Sequence, residues 1–132
     1  MEKLKIMVVD DEARMRKLVK DFLVKSNFDV LEAGDGEEAV DKFYENKEIA
    51  RILLDVMMPK MDGHQAAKAI RAMYADRPDA EEIPIIALSA NAFSEDVQAS
   101  QDAGMNGHVS KPLNMEDRRY SQMTICHKIR LF

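Results

Sequence analysis

Apolar residues follow two rhythms along this chain. Short unbroken runs at Ile6–Val9, Ile52–Leu54 and Ile83–Leu88 suit strands buried on both faces. Between them apolar residues recur at helical spacing. Met15, Leu18, Val19, Phe22 and Leu23 predict a first helix, with the basic residues among them on its solvated face. Val30, Leu31 and Ala33 predict a short second strand. Asp35 followed by Glu38 has the form of a capping box opening a second helix that carries Ala39, Val40, Phe43 and Tyr44. Pro59 and Gly63 punctuate a loop before Ala66, Ala67, Ile70, Met73 and Tyr74 mark a third helix. After a polar connection over 76–82 and the fourth strand, Ser94 is expected to cap a helix of about Glu95–Ala103, and Gly104 to end it. That helix has a thin apolar face around Val97 and is expected to be loosely held. Val109 centres a fifth strand, and Asn114 with Asp117 resembles another cap.

Five strand-then-helix units imply a parallel sheet with right-handed crossovers and helices on both faces, because parallel strands cannot be joined by tight turns. The expected class is α/β, doubly wound. In such sheets ligands bind beyond the carboxyl ends of the strands, and Asp10, Asp11, Asp55, Ser89 and Lys111 all fall at predicted strand ends. No internal repeat, low-complexity stretch or interdomain linker interrupts the pattern, so residues 1–132 are read as one domain.

Composition narrows the chemistry. The 132 residues carry a formal charge of −5, which argues against direct nucleic-acid binding. The single cysteine, Cys126, has no intrachain partner, and the start of the sequence lacks a signal-peptide hydrophobic region. A cytoplasmic setting is therefore expected. No apolar run approaches the ~20 residues that span a bilayer, so this segment is not expected to enter a membrane.

Three carboxylates on one sheet edge repel each other unless a cation or a shifted pKa compensates. A hard divalent cation suits them. Mg²⁺ takes oxygen ligands, keeps several waters and is commonly shared between carboxylates and phosphate oxygens. Asp11 and Asp55 suit direct ligation and Asp10 ligation through water, with Mn²⁺ an alternative ion. Lys111 supplies a cation for a bound phosphoryl group and Ser89 a hydroxyl donor. Taken singly, each has a bland reading: Asp10–Asp11 as a helix cap, Asp55 as a loop acid, Ser89 as a turn residue, Lys111 as a surface charge. Their joint occurrence at separate strand ends favours the site. His108 has no second His or Cys at ligand spacing and is not read as a metal ligand. The ten methionines read as core filler, with Met57, Met58 and Met61 suited to partner contact.

MVVDDE around Asp10 and Asp11, ILLDVMMPKMDG around Asp55, ALSAN around Ser89 and GHVSKPL around Lys111 together resemble the receiver domains of response regulators and hybrid histidine kinases. The resemblance covers roughly Lys3 to Asp117. It implies a flavodoxin-like fold with sheet order 2-1-3-4-5 and makes Asp55 the phosphorylation site. Asp10, Asp11 and the main-chain carbonyl of Met57 become metal ligands, and Ser89 and Lys111 the phosphoryl-sensing pair. It also implies a cis bond at Lys111–Pro112, and a histidine kinase or histidine phosphotransfer domain as donor, and it leaves a homodimer open.

Two departures stand out. His108 occupies the position where most receivers carry Tyr or Phe, a ring that turns inward on phosphorylation; its ionisation would make such a switch pH-sensitive. In 118–132, Arg118, Arg119 and Gln122 fall where the family usually has aliphatic residues. Ile125, Ile129 and Phe132 keep helical spacing, so the expectation is an atypical helix that re-forms late or packs elsewhere, even on another chain.

Three functions compete. A phosphorylation-controlled binding switch uses the whole set. A phosphohydrolase of the haloacid-dehalogenase type also has an aspartyl nucleophile, but needs a second acid where this chain has Met57. A degenerate receiver kept for interaction alone does not require all five residues. The second half, from IPIIALSAN to SKPL, looks like receivers fused to hybrid kinases, and the first half like those of DNA-binding regulators.

Overall fold

The structure, a computed structural model, describes residues 3–58, 61–89, 94–110 and 118–132. Its elements run β1 (Lys5–Val9), α1 (Ala13–Lys25), β2 (Asp29–Ala33), α2 (Gly36–Glu45), β3 (Ile49–Asp55), α3 (Gly63–Arg71), β4 (Ile85–Ser89), α4 (Ser94–Asp102), β5 (Gly107–Ser110) and α5 (Arg118–Leu131). Two short 3₁₀ turns, Ala72–Ala75 and Pro78–Glu81, fill the connection after α3. The five strands form one parallel sheet in the order β2-β1-β3-β4-β5. This is the flavodoxin-like doubly wound sheet that the sequence predicts.

Alternation along the strands divides the core in two. Met7, Val9, Ile52, Leu54, Ile85 and Ala87 face α2 and α3, where Phe43, Ala66, Ala67 and Ile70 are buried. Ile6, Val8, Leu53, Ile86, Leu88 and Val109 face α1 and α5, against Val19, Phe22, Leu23, Ile125 and Ile129. The central strands are thus apolar on both sides, as their unbroken runs require.

Helix ends follow local chemistry, with two differences from expectation. The Asp35 carboxylate accepts the Glu38 N–H at 2.7 Å, but Glu38 turns back to the Gly34 N–H at 3.1 Å, one residue outside the reciprocal bond of a capping box. The complete box belongs to α3, where Asp62 and Gln65 each accept the other's N–H. Gly104 ends α4 as expected, at φ +93°, with Gly104 N–H donating to Gln101 and Met105 N–H to Ser100. The suggested cap at Asn114 and Asp117 lies outside the described residues, as does the Lys111–Pro112 bond.

The carboxyl-terminal segment corrects the expectation of a helix that forms late or packs elsewhere. α5 is continuous from Arg118 and lies on its own sheet, against α1. Its apolar stripe begins one to two turns later than the family pattern, so Ile125, Cys126 and Ile129 do the burying while Arg119 stays in solvent. The Cys126 thiol donates to Ser26 Oγ at 3.1 Å, closing the α1–α5 contact.

Candidate functional site

The carboxyl edge of the sheet gathers Asp10, one residue past β1, Asp11 beside it, and Asp55, the last residue of β3. One carboxylate oxygen from each lies within 4.8 Å of the other two; Asp10 and Asp55 are buried and Asp11 is exposed. In octahedral geometry at about 2.1 Å, ligand oxygens sit roughly 3 to 4.2 Å apart. The three acids therefore fit a hard divalent cation. Two ionised carboxylates about 5 Å apart repel on the order of 3 kcal/mol at an effective dielectric of about 20, a cost that a cation between them offsets.

Main-chain contacts fix the acids. Asp10 Oδ1 accepts the Glu12 N–H at 2.9 Å, which turns the chain from β1 into α1. Asp55 Oδ1 accepts the Met57 N–H at 3.1 Å, and the Met57 side chain beyond it is 75% exposed. The β3–β4 ladder runs one bond past Asp55, from Val56 N–H to Leu88 carbonyl at 3.2 Å. Gly63, where the sequence signals only a loop, packs directly behind the site. A Cβ on it would lie 2.3 Å from the Asp55 carbonyl oxygen, so α3 can start this close to the loop only without a side chain.

Two arginines escape a sequence reading. Arg16, on the face of α1 read as solvated, donates to the Asp10 carbonyl at 2.7 Å and to Glu32 at 3.2 Å. Burial pushes the Glu32 carboxyl up, but Lys20 and Arg16 together outweigh it and leave its pKa below the usual value. Arg77 is buried after α3, stacks on Phe43 and donates to the carbonyls of Phe43, Asn46 and Lys47. Their carbonyl contacts have no local signal, because a cation that serves distant carbonyls looks in sequence like any surface cation.

Ser89 closes β4 and is buried; its hydroxyl lies 3.1 Å from Nε2 of His108 on β5. The register sets Ala87 beside His108 and Ser89 beside Ser110, so Ser89 and His108 are diagonal neighbours on one face of the sheet. Half-buried His108 borders a notch of ≈ 220 Å³ lined also by Ser100, Gln101 and Lys128. A larger open cavity, ≈ 620 Å³, lies at the opposite end of the sheet beside Lys3, Lys5 and Glu48, away from the acids. Lys111 lies outside the described residues.

The response regulator receiver domain family model matches residues 6–120. The chain belongs to that family. It is a receiver domain of two-component signalling, and the family is one of signalling switches. The chain is 38% identical over 114 residues to hybrid signal transduction histidine kinase I of Dictyostelium discoideum, covering 83% of this chain and 6% of the kinase. It is 32% identical over 129 residues to the transcriptional regulatory protein RprY of Bacteroides fragilis, covering 98% of this chain and 52% of RprY. The receiver thus spans at most about half the length of these two relatives.

Among solved structures, Vibrio cholerae chemotaxis protein CheY4 superposes with a TM-score of 0.84 at 27% identity, over 98% of each chain. The receiver domain of sensor histidine kinase PA1611 from Pseudomonas aeruginosa, at 28% identity, TM-score 0.74 and coverage of 93% and 97%, holds a magnesium ion in its active-site cleft. A Saccharomyces cerevisiae complex of the histidine phosphotransfer protein Ypd1 with the Ssk1 receiver domain matches at 26% identity and TM-score 0.75, over 86% and 82%. No helix among the described residues is long and apolar enough to cross a membrane.

Proposed function

We propose that Asp55 is the phosphoacceptor of this receiver and that Asp10, Asp11, Asp55 and the Met57 main-chain carbonyl hold Mg²⁺, with Mn²⁺ able to replace it. The observation that carries the reading is the convergence of three carboxylates, two of them buried, within 4.8 Å. A bound cation would offset their repulsion and neutralise charge on phosphoryl oxygens. An Asp55 carboxylate oxygen attacks phosphorus in line; the P–O bond forms as the P–N bond of a donor phosphohistidine breaks, and the electron pair leaves with the imidazole. Lys111 and Ser89 then contact the phosphoryl oxygens, and Ser89 with His108 passes the change to residues 90–103, altering partner affinity.

Within this reading residues 1–132 are one receiver domain, with α5 as its modified last helix, and the chain promotes only its own phosphorylation and dephosphorylation. The donor is a histidine kinase or a histidine phosphotransfer domain in the cytoplasm, as the resemblance to hybrid-kinase receivers supports. Nucleic acid is not a direct partner. Acetyl phosphate with Mg²⁺ is expected to add one acid-stable, base-labile phosphoryl group, absent in Asp55→Asn and absent in excess EDTA. Undiminished labelling of the Asn variant would remove Asp55 from the role; undiminished labelling in EDTA would remove the metal.

A further inference from the structure

We propose that α5 of one copy of this chain docks on α2 of another, a head-to-tail contact between a basic helix face and an acidic one. The contact goes beyond the phosphoacceptor reading of Asp55 and does not depend on it.

α5 is apolar on two sides. Ile125, Cys126 and Ile129 are buried against the sheet and α1. On the outer side Tyr120, Met123, His127 and Leu131 recur at i, i+3, i+7 and i+11, a row about 16 Å long. Tyr120, Met123 and Leu131 are 74%, 67% and 62% exposed. One such residue in water is ordinary, but three in a row on one helix form a contact surface. The charges beside them are of one sign. Residues 118–132 hold Arg118, Arg119, Lys128 and Arg130 and no Asp or Glu, in a chain whose formal charge is −5. Among the described residues no carboxylate pairs with Arg119, Lys128 or Arg130; Arg130 donates instead to the Ser26 carbonyl at 3.2 Å.

That sign decides the occupant. A symmetric pairing of α5 with α5 would set cation against cation and repel. The complement lies on α2. Glu37, Asp41, Tyr44 and Glu45 recur there at i, i+4, i+7 and i+8, all exposed, in a row about 12 Å long. None of these three carboxylates has a cation partner among the described residues, because Lys42 is engaged with Glu38 and the Glu32 carbonyl. An unpaired acidic row around an exposed ring thus matches an unpaired basic row around an exposed apolar stripe. The two helices pack on opposite faces of the sheet, so a molecule cannot join its own pair. Each copy offers one face of each kind, and the contact therefore propagates from copy to copy. Exposed charge pairs are individually weak and screened by salt, which makes the association concentration-dependent and salt-sensitive.

Sedimentation velocity of the full chain tests the contact. At low salt the average mass is expected to rise with concentration and to pass that of a dimer. Raising NaCl from about 50 mM to about 500 mM shortens the screening length roughly threefold, and the association constant should fall roughly tenfold. Two double variants at exposed positions separate the faces. Tyr120→Ser with Met123→Ser strips the stripe from α5, and Asp41→Lys with Glu45→Lys reverses α2. Both leave the core untouched, and an unchanged circular dichroism spectrum confirms the fold. Each should be monomeric alone, while their mixture should form a closed 1:1 pair from the intact α2 of the first and the intact α5 of the second. A mixture that stays monomeric, a wild-type protein that stops at a dimer, or association indifferent to salt would overturn the proposal. So would a wild-type protein that is monomeric throughout; if that monomer sedimented with vesicles containing phosphatidylserine and not with phosphatidylcholine alone, the α5 face would belong to an anionic lipid surface.

Discussion

The two halves of the sheet's carboxyl edge are built by different means. On the β1 and β3 side, main-chain N–H groups of Glu12 and Met57 hold Asp10 and Asp55, and Gly63 backs directly onto the Asp55 carbonyl. On the β4 and β5 side, Ser89 and His108 meet side chain to side chain. Main-chain contacts survive most substitutions of their neighbours; a side-chain pair is lost with either member. The half that would capture the phosphoryl group is therefore stiff by construction, while the half that would read it can be retuned one residue at a time.

The largest test of that contrast is Gly63→Ala. The new Cβ would lie 2.3 Å from the Asp55 carbonyl oxygen and 2.7 Å from Val56 Cα, and backbone atoms cannot swing aside as a flexible side chain can. A loss of about 2–3 kcal/mol is expected in urea unfolding. An unshifted midpoint would show the capture half to be as yielding as the other. Next comes the metal. Mg²⁺ at ten times its dissociation constant should stabilise the wild-type protein by about 1.4 kcal/mol. Asp10→Asn should flatten the rise in melting temperature, and a rise of equal size would take Asp10 out of the cation site.

The smallest effect concerns the β2–α2 loop, which leads into Gly36 at the start of α2, packed against Met61 of the capture half. The Lys42 hydrogen bond and then the Gly34 N–H hold the Glu38 carboxyl below its ordinary value near 4.5. Because the folded-state pKa is the lower one, this stability is present above about pH 4.5 and disappears as pH falls through the folded value. With the Glu38 side chain 42% exposed, screening reduces it to less than about 0.5 kcal/mol. Glu38→Gln should make acid destabilisation slightly shallower, and an identical pH profile would mean that Glu38 does not anchor the loop.

What could be read from sequence follows the same division. An aspartate closing an apolar run says little alone, but the strand-then-helix pattern carries Asp10, Asp11 and Asp55 to one sheet edge, where their joint occurrence marks the site. The Ser89–His108 pairing depends on the β4–β5 register, which no local pattern states. The Asp62–Gln65 box was written in the loop as plainly as the incomplete one at Asp35, but Pro59 and Gly63 read first as loop punctuation. The carbonyl contacts of Arg16 and Arg77 stayed hidden because a carbonyl leaves no mark on composition.

The burial of Cys126 gives the molecule a built-in reporter. It is the chain's only cysteine, and its thiol is sealed between α5 and α1 against Ser26. A thiol-reactive dye can reach it only when that seam parts. The rate of dye attachment in the native protein therefore measures how often the last helix lifts, without introducing any label site.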